Sequence, residues 1–235
     1  MRSLAELLKA SAAMHHHLCP RQVLGARMGI LAGEVLGLDL PRTDKRLLTI
    51  VETDGCATDG IAVVTHCSVG RRTMRVEDCG KVAATFVDTD TGQAVRLVPR
   101  SNVRQHASVY APAARSKWEA QLLGYQSMPA SDLLDVQAVH LTTPLEQILG
   151  RPGMKAICDT CGEEIMNGRE TIQNSETLCR TCSGQSYYLL AADPALLGCG
   201  LLKGRPVEHE WLSQSGLHNP IRQWKEAADL ITAGS

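Results

Sequence analysis

The chain has 235 residues, long for one domain and short for two full ones. Hydrophobic residues make up 44% and charged residues 21%, enough apolar content for a sizeable core and too much for wholesale disorder. With 24 Lys+Arg against 25 Asp+Glu and only 3% aromatics, the composition weighs against a nucleic-acid binder. No apolar run approaches the roughly 20 residues that cross a bilayer. Nine cysteines and eight histidines stand out. An odd cysteine count behind an N-terminus with no long apolar stretch argues for a reducing, cytoplasmic setting and metal ligation over a disulfide framework.

The first element is a short helix over Ser3 to Ala13, opened by Ser3 and Glu6 at capping-box spacing. Pro20 suits the first position of a second helix running to about Leu36, with Leu24, Met28, Leu31 and Val35 on its apolar stripe. Gly25, Gly29, Gly33 and Gly37 recur every fourth residue of that helix. Interior glycines each cost about 1 kcal/mol of helix propensity, which points to close approach of another element; Gly37 ends the helix. Leu47 to Thr53 reads as a buried strand, and Asp59 to Cys67 as a helix. Met74 to Glu77, Lys81 to Val87 and Gln93 to Val98 read as short strands, the last two joined by a hairpin loop at Asp88 to Gly92. Arg115 to Gly124 follows as an amphipathic helix and Leu134 to Leu141 as a strand. Thr143-Pro144 then reads as a cap and first residue of a short helix that closes at Gly150. The expected architecture is an α+β domain over residues 1–150, an antiparallel sheet with packed helices. A four-cysteine zinc ribbon over 151–185 and a C-terminal extension over 186–235, containing Trp211 and Trp224, complete the chain.

Cys158-Asp159-Thr160-Cys161 and Cys179-Arg180-Thr181-Cys182 are two CxxC pairs separated by seventeen residues, inside the range used by zinc ribbons. Two thiolates on a tight knuckle occupy two corners of a tetrahedron, and a second knuckle supplies the other two. Gly162 permits the sharp turn after Cys161. A single CxxC would leave a thioredoxin-like redox pair open; two pairs at this spacing favour zinc with a closed, structural coordination sphere.

In the first domain His15, His17 and Cys19 alternate, and on an extended segment they would share one side. Cys19 and Cys56 each fall before an expected helix, where the dipole favours a thiolate. Imidazole with thiolate is a ligand set for zinc, copper or iron. The residues alone leave the alternatives open: cysteines are often small buried hydrophobes, and three histidines can form a surface tract. Cys67 and Cys79 read as packing residues. His66, His106 and His140 have no visible partner.

The stretch His15-His16-His17-Leu18-Cys19-Pro20 resembles the His-x-His-x-Cys-Pro motif of the FmdE family of formylmethanofuran dehydrogenase proteins. The likeness continues through Leu24 to Gly29, Val51 to Ile61, Thr65 to Gly70 and Asp78 to Lys81, and covers most of residues 10–185. The resemblance implies an α+β domain carrying a metal or reactive-cysteine site, often followed by a zinc ribbon. It selects His17, Cys19 and Cys56 as site residues, with His15 next and Asp59 orienting a ligand. The expected cofactors are zinc in the ribbon and zinc or another transition metal in the first domain.

Three functions remain distinct. The first is an enzyme-like metalloprotein with an open coordination position, or with Cys56 as a nucleophile; no motif names its substrate. The second is an accessory protein delivering metal or sulfur to, or docking on, a molybdenum or tungsten oxidoreductase, the partner class the resemblance implies. The third, a ribbon-based nucleic-acid regulator, is disfavoured by the charge balance. The glycine-striped helix and scarce aromatics lead to an expected homodimer.

Overall fold

A computed structural model describes residues 2–188. The expected extension lies outside the described residues from position 189 onward. The chain divides into one unit ending at Gly153 and a second beginning at Met154.

Helix α1, Leu4–His15, opens with the expected reciprocal cap: Ser3 Oγ accepts from Glu6 N at 3.3 Å, and the Glu6 carboxylate accepts from Ser3 N at 2.8 Å. Helix α2 spans Pro20–Leu36, with Pro20 at its first turn and Gly37 just past its end. Its burial differs from the expected stripe. Leu24 and Met28 are buried, but Leu31 is half-buried and Val35 is 39% exposed, while Gln22, Val23, Ala26 and Ala32 are fully covered. A single stripe describes a helix with one neighbour. This helix is central, packed against α1, two later helices and two strands of the sheet, so its buried surface is wider than one stripe.

The sheet comprises β1 (Leu47–Val51), β2 (Met74–Val76), β3 (Ala84–Asp88), β4 (Ala94–Pro99) and β5 (Leu134–Ala138), in the order β2-β1-β3-β4-β5. Three of its pairings are antiparallel. The fourth corrects the expectation: β1 and β2 run parallel, Thr49 opposite Met74. The link between them is helix α3, Cys56–Thr65, which returns the chain to the end where β1 began, so the next strand must run the same way. Helix α3 starts three residues earlier than the sequence indicates, at Cys56 in place of Asp59.

One sheet face presents Leu47, Val51, Phe86, Val95 and Leu97 to α2, α3 and a helical hairpin of α4 (Val103–Tyr110) and α5 (Lys117–Ser127). Helix α4 has no counterpart in the sequence expectations; its N-cap Asn102 makes no side-chain cap. A single turn, α6 (Ala130–Leu133), leads into β5. The opposite face buries Leu48, Val87 and Ala94 beneath α7, Leu145–Leu149. Pro144 is the cap of α7, one residue later than the expected Thr143. Arg75 ties α7 to β2 through the Ile148 carbonyl at 3.2 Å.

Among the described residues, the second unit comprises two hairpins, β6 (Lys155–Ile157) with β7 (Glu164–Met166) and β8 (Thr171–Gln173) with β9 (Glu176–Leu178), the latter followed by a turn at Thr181–Gln185.

Candidate functional site

The four cysteines of the second unit converge. The Sγ atoms of Cys158, Cys161, Cys179 and Cys182 all lie within 4.8 Å of one another. Cys161 Sγ and Cys179 Sγ are 3.9 Å apart, close to the ~3.8 Å edge of a tetrahedron with Zn–S bonds of ~2.3 Å. Each pair sits on a knuckle closed by a backbone bond, Gly162 N to Cys158 O and Ser183 N to Cys179 O, both 2.9 Å. Gly162 has φ +74°, as the turn requires. Asp159 joins the first knuckle to β9, its carboxylate accepting from Thr177 N at 2.7 Å.

The electrostatics of the four sulfurs are unequal. Burial opposes a thiolate at Cys158, but backbone N–H groups of Cys161, Cys179 and Thr160 outweigh it and bring the thiol down to about 6. Burial, then the neighbouring sulfurs, push Cys182 well up, and burial raises Cys161 as well. Four sulfurs this close cannot all ionise without a cation among them. This is a four-cysteine metal-binding cluster.

In the first unit the crossing of α2 and α3 positions the sequence-derived residues. A Cβ on Gly25 would lie 2.0 Å from Ala57 O, and one on Gly60 would lie 2.2 Å from Gln22 O. The two backbones touch, and only glycine at both points allows it. Cys19 is the N-cap of α2 and Cys56 the first residue of α3, so the contact draws the two helix starts together. Cys19 is buried and Cys56 half-buried. Burial pushes the Cys56 thiol up, and the Cys19 side chain pushes it further by hydrogen bond and charge. The helix start therefore does not make Cys56 a ready thiolate. Its neighbour and its burial dominate.

The loop before Cys56 is braced. Glu52 accepts two bonds from Arg96 at 2.5 and 2.8 Å, and Thr58 Oγ1 donates to Thr53 O at 2.8 Å. The Arg96 guanidinium holds the Glu52 carboxyl below the usual carboxylate range.

The histidines arrive by a route the alternation did not describe. His15 is the last residue of α1, and His16, at φ +64°, turns the chain. The turn still brings the rings of His15 and His17 to 4.7 Å. His15 Nδ1 is 2.6 Å from Asp59 Oδ2, leaving Nε2 as its outward nitrogen. His17 is exposed. Among the described residues, only the four second-unit cysteines bring three or more donor atoms within 4.8 Å. The first-unit donors share a neighbourhood without forming a preformed cluster. Cys67 is buried, its thiol 3.4 Å from Leu47 O, whereas Cys79 is exposed and not the packing residue expected.

Sequence reading missed Gln22. It is fully buried, and its side chain accepts from Cys19 N at 2.7 Å. The signal was present: Cys19-x-x-Gln22 is capping-box spacing, with Cys where Ser or Thr usually stands.

An α+β unit with cysteines at two helix starts, followed by a four-cysteine module, defines a class of two-part metal-binding protein. The chain belongs to the FmdE family, described as "FmdE, Molybdenum formylmethanofuran dehydrogenase operon", whose family model matches residues 14–135. Residues 152–188 match the "Prokaryotic dksA/traR C4-type zinc finger". A curated relative from Archaeoglobus fulgidus, "Probable S-adenosyl-L-methionine-binding protein", is 29% identical over 226 residues, covering 85% of this chain and 57% of the relative. The chain thus spans little more than half of that relative's length. The crystal structure of an FmdE-like protein of the tungsten formylmethanofuran dehydrogenase type, from Syntrophus aciditrophicus, aligns with TM-score 0.53 and 24% identity, over 80% of this chain and 96% of that one. That likeness establishes the fold. No helix among the described residues is long and apolar enough to cross a membrane.

Proposed function

We infer that this FmdE-family chain carries two metals: a structural zinc in the four-cysteine cluster, and a second zinc or other transition metal bound in the first unit by His17, Cys19 and Cys56, with His15 as a further donor. The observation that carries the second site is the meeting of Cys19 and Cys56 at the α2–α3 crossing, beside a histidine held by a carboxylate. Two sulfurs and an imidazole are a fitting donor set for such an ion, and a metal-bound imidazole usually has its other nitrogen engaged as His15 does with Asp59. His17, being exposed, can swing inward, and its movement would complete the set. Held by Cys19, Cys56 and one histidine at a time, the ion would keep an open position, where it would supply Lewis acidity towards a carbonyl or a bound water. The roles of the chain's own groups follow. Asp59 orients His15, burial keeps Cys56 protonated until a cation displaces its proton, and Arg96 holds Glu52 and the loop in place.

Metal analysis of anaerobically purified protein tests this reading. Two metals per chain are expected, falling to one in Cys56→Ser with the fold intact. One metal in both proteins would leave the cluster alone as the metal site.

A second reading, an accessory protein for a molybdenum or tungsten oxidoreductase in the cytoplasm, is favoured by the openness of the first site, where His17 is exposed and Cys56 only half-buried. Such a site suits transfer of a metal or sulfur as well as catalysis. A homodimer is the assembly proposed for either role. S-adenosyl-L-methionine, named for the Archaeoglobus relative, is a ligand to add in the same experiments.

A further inference from the structure

Gln22 is fully buried, and its side chain and backbone together touch all three segments bearing the candidate ligands of the first unit. Its Oε1 accepts from Cys19 N at 2.7 Å. Its Nε2 donates to Ser11 O at 3.2 Å and to Ser11 Oγ at 3.1 Å, one turn before His15 on α1. Its backbone carbonyl, not its side chain, lies against Gly60, the residue after Asp59 and one turn beyond Cys56. Gln22 and Ser11 are both 0% exposed, so bulk water does not compete for these bonds. A helix cap alone needs only the Cys19 arm. The second arm reaches across to another helix and closes the loop containing His15, His17 and Cys19 into a fixed ring.

We propose that Gln22 is a positioning residue for the first-unit metal site: its side chain sets where Cys19 stands relative to the α1 segment that bears His15, and so sets metal affinity without touching the metal. The proposal rests on the two-metal reading above. The Cys19 arm sets the sulfur's place. The Ser11 arm fixes the amide's orientation, and Ser11 O alone can do that when the hydroxyl is gone.

The test is a cobalt(II) titration of the full chain, followed by the thiolate-to-metal absorption band. A parallel Cys56→Ser sample is subtracted, so that only the first-unit signal remains. Gln22→Met removes both arms at nearly constant volume. Its cobalt affinity is expected to fall about 10–100-fold, the usual cost of losing a group that orients a metal ligand. Ser11→Ala, which spares the Cys19 arm, is expected to stay within about twofold of the parent chain. Gln22→Asn, a methylene too short to span both partners but still polar, is expected to weaken binding as well. It decides the question if Gln22→Met does not fold. Parent-like cobalt affinity in a folded Gln22 variant, with a normal band in the parent chain, overturns the proposal alone. No difference between the parent chain and Cys56→Ser overturns the two-metal reading and the proposal with it.

Discussion

The two units solve the same problem, a stable fold, with different materials. The first unit buries Tyr125, Phe86, Met28, Leu97 and Ile61 almost completely on one face of a five-stranded sheet around a central helix, and Leu48, Val87 and Ala94 on the other face. Among the described residues, the second unit's buried cluster is Cys158, Ile165 and Leu178, and one of those three belongs to the four-cysteine metal-binding cluster. Apolar burial at about 25 cal/mol per Å² can hold the first together. The two aliphatic side chains buried among the described residues cannot by themselves offset the entropy of ordering some thirty residues. Fold energy in the first unit is therefore spread over many contacts, whereas in the second it is concentrated at one point.

The largest expected effect tests that concentration. Cys158→Ser, or chelation, should unfold residues 155–185, because structural zinc contributes about 10–16 kcal/mol in small finger peptides and that energy is folding energy. Hydrogen exchange should show protection lost across β6 to β9 while α2 and β1 keep theirs. Retained protection in the second unit after metal removal would show that its small core suffices.

The next test strikes the first unit where its contacts are least replaceable. Arg27 reaches the C-terminal end of α5 and donates to Tyr125 O at 2.9 Å, Gln126 O at 3.1 Å and Met128 O at 2.8 Å. Burial lowers its pKa somewhat, yet it remains a cation whose three acceptors are helix-end carbonyls. Arg27→Met should cost about 2–3 kcal/mol in urea unfolding, on the scale of hydrogen bonds to a charged group. Gly60→Ala belongs at the same level: its Cβ meets Gln22 O, and forcing α2 from α3 should cost about 1–3 kcal/mol. Both should leave the metal of the second unit in place.

These positions also mark what the sequence could tell. Helix α2 was readable because its signals are local: a proline at the start, a glycine after the end and apolar residues between. The four-cysteine cluster was readable because a tetrahedron imposes its own spacing on the chain. The parallel pairing of β2 was not, since direction depends on where α3 delivers the chain, and nothing within Met74–Val76 encodes that. The His15–Asp59 contact joins positions 44 apart; spacing could not provide it, and only the family resemblance pointed to Asp59. Gly25 stood out through its fourfold repeat, but its counterpart Gly60 is a lone glycine whose need appears only when two backbones meet.

A smaller effect separates the units by pH. Asp88 is buried and takes two bonds from Arg46 at 2.8 Å, which hold its carboxyl well below the usual carboxylate range. The sign follows from linkage. A depressed folded pKa contributes stability that is fully present above the unfolded value of about 3.9, and this is lost as pH falls through the folded pKa. The first unit should thus retain this contribution at mild acidity, where thiolate ligands take up protons and the second unit releases its metal. A pH titration following both units by hydrogen exchange should see the second unit open first. Asp88→Asn should flatten the acid limb of the first unit alone.

The smallest expected effect has the opposite sign. Thr49 lies at the centre of β1, fully buried between Met74 and Phe86 on the neighbouring strands, and its Oγ1 has no hydrogen-bond partner among the described residues. An unsatisfied buried hydroxyl carries a desolvation cost that a methyl group of the same shape does not. Valine is β-branched like threonine and suits a central strand. Thr49→Val should therefore raise first-unit stability by about 1 kcal/mol, read as a higher urea midpoint at an unchanged slope. A lower midpoint would mean that the hydroxyl serves a contact that valine cannot replace. The analogous polar-to-apolar change in the second unit, Cys158→Val, also fills a buried site of similar size, yet it removes a ligand and should collapse that unit. One substitution class, opposite in sign between the two units, measures directly how far apolar packing holds the first and metal coordination the second.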